Sequence, residues 1–113
     1  MPLADLSPAE RETVRECLVA AVTGPFFPDW EFHTLFGMER SDLKAVLDAW
    51  PNINDTNESA ATAIQNSMNN LLGYPHGCER EWSRYISVGS AEVARTFQKW
   101  SGQYMSNCSQ GPR

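Results

Sequence analysis

The chain has 113 residues, 42% hydrophobic and 11% aromatic, with four tryptophans and a formal net charge of −5. That length fits one domain with a single core, and the apolar content excludes a disordered chain, which could not offset its ordering entropy. No apolar run approaches the roughly 20 residues that span a bilayer, and the opening MPLADLSPAERE carries early acids without a signal-type apolar core, so a cytoplasmic protein is expected.

Ser7-Pro8-Ala9-Glu10 reads as a helix start: Ser7 caps, Pro8 takes the first helical position and Glu10 closes a capping box. Val14, Cys17, Leu18, Ala21 and Val22 follow at helical spacing, and Gly24-Pro25 ends the element. A second helix opens at Pro28, with Phe32, Leu35 and Phe36 on one face and Gly37 at its end. Phe26 and Phe27 lie on the proline-bounded loop before it, where they can protrude as an apolar anchor for a partner. A third helix runs from about Arg40 or Ser41 to Trp50 and stops at Pro51, with Leu43, Val46 and Leu47 inward.

Residues 52–57 form a polar loop, and Asp55 with Glu58 makes a second capping box. Ala60, Ala61, Ile64, Met68, Leu71 and Leu72 build the next buried stripe, with Gly73 as its cap. This helix and the turn after it contain NSMNNLLGYPHG, which holds poor helix formers where a helix is needed. Gly73, Pro75 and Gly77 are explained by capping and turning. Asn66, Asn70 and His76 are expected to bond the backbone of residues 26–37 and so lock the two halves together. Residues 78–83 are read as helical and 84–88 as one short extended segment, before a last helix capped by Ser90 with Val93, Phe97 and Trp100 inside and Gly102 at its end. The spacing of Leu43, Leu47 and Trp50 recurs in Val93, Phe97 and Trp100, so two similar helices should bracket the one between them. The expectation is an all-α single domain, 1–113, of five or six short helices, frayed at 1–6 and 103–113. Its core draws on Val14, Leu18, Phe32, Leu35, Leu43, Leu47, Ile64, Met68, Leu72, Trp82, Phe97 and Trp100.

Charge is uneven: up to Trp50 nine acids face four bases, whereas from Pro51 onward five face five, so the whole excess lies in the first half. Such a field disfavours nucleic acid and membranes and favours a basic protein partner, with Glu12, Glu16, Asp29, Glu31, Asp42 and Asp48 as candidate contacts. Residues 32–50 also imitate a helix-turn-helix, the alternative reading, in which Arg40, Ser41 and Lys44 would meet DNA. A third reading is a small enzyme using Cys78 with His76. The three cysteines form no Cys-x-x-Cys pair and the chain has two histidines, so neither a metal nor a cofactor is implied.

The runs FPDWEFHTLFGMER, NNLLGYPHG and RYISVGSAEV resemble a group of small uncharacterised bacterial proteins, over about Ser7 to Trp100. In size and acidity the chain resembles the immunity proteins that neutralise bacterial toxins. That resemblance implies a non-enzymatic inhibitor occluding a basic site, a toxin being the partner it would imply, and it carries over no catalytic residue.

Overall fold

In the computed structural model, which describes residues 3–101, six α-helices form one small all-α domain. They are α1 (Pro8–Thr23), α2 (Asp29–Phe36), α3 (Arg40–Asp48), α4 (Glu58–Gly73), α5 (Trp82–Tyr85) and α6 (Ser90–Ser101), with short 3-10 turns at Leu3–Asp5 and Glu79–Glu81. Helices α1 and α4 have 16 residues each, about 24 Å of rod. They pack on one another and every other helix leans on one or both. Helices α3 and α6 both pack on α4, but α3 ends at Asp48, short of the expected Trp50, so the repeated spacing is not matched by two equivalent helices.

Helix α1 forms as its sequence dictates. Ser7 Oγ accepts the Glu10 N–H at 3.1 Å and Glu10 Oε1 accepts the Ser7 N–H at 2.8 Å, so two orphan donors are satisfied reciprocally. The apolar stripe of Val14, Cys17, Leu18, Ala21 and Val22 is wholly buried, and burial pushes the Cys17 thiol well above its usual range. Lys99 of α6 reaches Glu10 Oε2 at 2.9 Å. The Ser7 N–H and Lys99 together hold that carboxyl below its ordinary range.

Several boundaries differ from expectation, for local physical reasons. Pro28 is the cap of α2, not its first residue. Helix α4 is capped by Asn57, whose side chain accepts the Ala60 N–H at 3.2 Å. Asp55 Oδ2 instead accepts the Leu3 N–H at 2.7 Å and the Trp100 indole N–H at 2.9 Å. That tie, with Leu6 only 2% exposed and Arg11 donating to the Leu6 carbonyl at 2.6 Å, fixes residues 3–6, which were expected to fray. Gly73 is the last residue of α4, and extended Tyr74 follows it as the cap. Residues 84–88 are no strand: α5 covers Arg84 and Tyr85, Ile86 is extended, and the chain bends at Ser87 and Val88. With no second strand to pair with, that segment turns Ile86 into the core, and Trp82 donates to the Val88 carbonyl at 2.7 Å. Helix α6 begins at Ser90, and the carbonyl of Gly89 before it accepts the Val93 N–H. The expected stop at Gly102 and the fraying of 103–113 fall outside the described residues.

Of the expected core, Val14, Leu18, Phe32, Leu43, Ile64, Met68 and Phe97 are buried, while Leu35, Leu47, Leu72, Trp82 and Trp100 pack against its margin. Gly37 and Gly77 adopt φ of 70° and 66°, a left-handed conformation open to glycine at little cost. These two sharp reversals aim α2 at α3 and return the chain after α4.

Candidate functional site

The corner where α1 ends and α2 meets α3 is built around Arg40. The last carbonyls of a helix lack intrahelical partners, and Arg40 supplies them from α3: its Nη1 donates to Ala21 O at 2.9 Å and Val22 O at 3.1 Å. Its Nη2 donates to Phe27 O at 2.9 Å and Asp29 Oδ1 at 2.8 Å, and the guanidinium carbon lies 4.3 Å from the centre of the Phe32 ring. Five donors in a planar fork suit this multiple task. Arg40 is therefore an internal clamp, and the helix-turn-helix reading loses the residue it placed first on DNA. Lys44 is paired with Asp48 at 2.8 Å, and Ser41 is exposed.

Phe26 and Phe27 do not protrude. They are 1% and 3% exposed, which corrects the expectation of an apolar anchor on that loop. The Phe26 ring meets His76, Trp82 and Tyr85 edge-on at centroid distances of 4.9, 6.3 and 5.8 Å. Phe27 meets Phe36 at 5.1 Å and Tyr74 at 5.7 Å. Both prolines therefore fold the loop inward, where edge-to-face contacts add to burial.

Opposite them, α4 and the turn after it do what the asparagines predict. Asn66 Nδ2 donates to Phe36 O at 2.9 Å and Asn70 Nδ2 to Leu35 O at 3.0 Å, two orphan carbonyls at the end of α2. His76 departs from expectation: it bonds its own turn, not the backbone of residues 26–37. Its Nδ1 accepts the Cys78 N–H at 3.0 Å, so Nε2 carries the hydrogen and donates to Leu71 O at 3.2 Å. It reaches the other half through ring contact with Phe26. Asn69 is exposed, and Ala is the better helix former there by up to about 0.7 kcal/mol, so Asn69→Ala should stabilise by about that much. Asn66→Ala and Asn70→Ala gain the same propensity but lose a hydrogen bond, and each should fall about 1 kcal/mol below the Asn69→Ala result. Urea denaturation of the three variants checks this, and equal stabilities would refute the lock.

The Cys78 and His76 pair has no thiol–imidazole bond: both ring nitrogens serve the backbone, and Cys78 Sγ lies 3.3 Å from His76 O and 3.5 Å from Pro25 O. His76 does face a cleft of about 440 Å³, with Leu71, Leu72, Tyr74, Glu79 and Trp82 around it. The Tyr74 hydroxyl donates to Glu31 Oε1 at 2.6 Å, and this bond holds its ionisation above the ordinary range. Among the described residues no three histidine, cysteine or acidic side chains gather as a metal site. No described helix is long and apolar enough to cross a membrane.

The six candidate acids divide into two groups. Glu12 pairs with Arg15 along α1, and Glu16 Oε1 accepts both the N–H and the hydroxyl of Ser87 at 2.9 Å, so Glu16 borders the α5–α6 junction. The others lie on α2 and α3: Asp29 on Arg40, Glu31 on Tyr74, Asp42 on the Glu39 N–H at 3.0 Å and Asp48 on Lys44. Each has one internal partner, yet a carboxylate has about four acceptor positions, and the Asp29 side chain is 93% exposed despite its ion pair. Glu39, with a side chain 69% exposed, belongs to this corner and was not among the sequence candidates. Neither was Trp30, 81% exposed. Its position was legible: two residues before Phe32 it sits about 200° around the helix from that inward ring.

Compared with known protein families, curated proteins and solved structures, the chain has no significant match. What the geometry defines is a class, a small all-α domain with an internally clamped acidic corner.

Proposed function

We propose that this is a non-enzymatic binding protein that occludes a basic site on another protein, as an immunity protein or inhibitor would, through the acidic corner of α2 and α3. The observation that carries the reading is the surface charge of that corner. From Pro28 to Ala49 five acids face two bases, and one of those bases, Arg40, is spent on carbonyls of α1 and its loop. Outward negative charge steers a basic partner and fixes its orientation. The surface ion pairs at this corner are weak enough, about 0–1 kcal/mol each, to be exchanged for contacts with a partner.

The test is an affinity pull-down with the full chain at physiological salt and at 1 M, where the screening length falls from about 8 Å to about 3 Å. One dominant protein with a basic surface should be retained, weakened by salt and lost when Asp29, Asp42 and Asp48 are changed together to lysine. A partner indifferent both to salt and to this reversal overturns the reading.

A further inference from the structure

A single exposed apolar side chain on a protein surface is ordinary; Trp30 is set apart by what surrounds it. It stands in the first turn of α2, 81% exposed. His33 and Thr34, three and four residues on and hence on the same helical face, are also exposed. Carboxylates border this face: Asp29 beside Trp30, with its side chain 93% exposed, and Glu39, whose Oε2 lies 3.9 Å from His33 Nε2. The nearby guanidinium of Arg40 is committed inward and stacks on Phe32, not on the indole. An indole presents a negative π-face, the best aromatic receptor for a cation, and tryptophan is among the residues most enriched as interface anchors.

We infer that Trp30 is the anchor of the acidic corner, its indole face receiving an arginine or lysine side chain of the basic partner protein while Asp29 and Glu39 supply the counter-charge. This rests on the proposed protein-binding role and names the contact that the buried Phe26 and Phe27 do not provide. Burial of a large rigid side chain at low entropic cost supplies affinity, and the carboxylates select which partner chemistry is admitted.

The probe is a nona-arginine peptide titrated at low salt into the ¹⁵N-labelled full chain, followed by the indole N–H signals, with that of Trp30 assigned by its absence in Trp30→Phe. The Trp30 signal should shift saturably. Trp30→Ala should weaken binding at least tenfold without changing the melting curve, because the side chain packs on little. Asp29→Asn with Glu39→Gln should weaken it more than Asp5→Asn with Glu58→Gln, which removes the same charge elsewhere. Affinity unchanged within twofold in Trp30→Ala, with the acid variants still weakened, overturns the anchor and leaves the acidic corner standing. No binding by the unaltered chain overturns the anchor, and the salt and charge-reversal pull-down then decides the wider reading separately. A homodimer of the full chain that dissociates on Trp30→Ala would assign the face to a second copy and equally overturn the inference.

Discussion

Phe26→Ala is expected to cost about 3–5 kcal/mol, the range for truncating a fully buried phenylalanine, because the lost transfer energy is compounded by the cavity left behind. The site has little room to collapse. The ring is held edge-on by His76, Trp82 and Tyr85, and it lies so close over Gly24 that a Cβ there would come within 2.9 Å of it. Trp30→Ala, four residues away, should change stability by no more than about 0.5 kcal/mol, as exposed substitutions do. Urea denaturation of the two variants side by side separates core from anchor. A loss under about 1 kcal/mol for Phe26→Ala would restore the protruding loop that its prolines had suggested.

Arg40→Ala is expected to cost about 2–4 kcal/mol. Its guanidinium satisfies three backbone carbonyls from α1 and the following loop, and a hydrogen bond from a charged donor contributes about 1.5–3 kcal/mol where water is excluded. The sum is smaller here because the side chain remains 28% exposed and water partly replaces the lost donors. The ion pair with exposed Asp29 adds little, about 0–1 kcal/mol. Arg40→Lys should recover less than half of the loss, since one ammonium cannot fork across Ala21, Phe27 and Asp29 while stacking on Phe32. Chemical denaturation in low and high salt checks both points: the loss should be nearly salt-independent, and a loss that vanishes in high salt would mean that the surface pair, not the carbonyl clamp, carried it.

Much of the candidate site could be read from the chain, and the exceptions have a common cause. The acids of α2 and α3 are visible by counting, and Trp30 falls off the apolar face by helical arithmetic alone. Asn66 and Asn70 were predictable because poor helix formers at the margin of a stripe need partners, and the carbonyls ending α2 need donors. His76 misled because its own turn offered nearer partners, the Cys78 N–H and the Leu71 carbonyl. Asp55 and Asn57 are both capable caps two residues apart. Asp55 is taken out of that role by demands from Leu3 and Trp100, at opposite ends of the described chain.

By itself the sequence determined the all-α class, the start and stripe of α1, the inward faces of α2, α3, α4 and α6, and the uneven charge. Those properties are encoded within a turn or two of helix, where periodicity and capping act. Only the tertiary structure decided that Arg40 turns inward and that Phe26 and Phe27 do so with it. Arg40 reaches carbonyls 18 and 19 residues back, and Asn66 and Asn70 reach 30 and 35 residues back. For Arg40 the partners are chosen by which orphan carbonyls the packed helices bring near, and that choice has no local signature. For the two asparagines the need of a partner is legible and only the particular carbonyl is not.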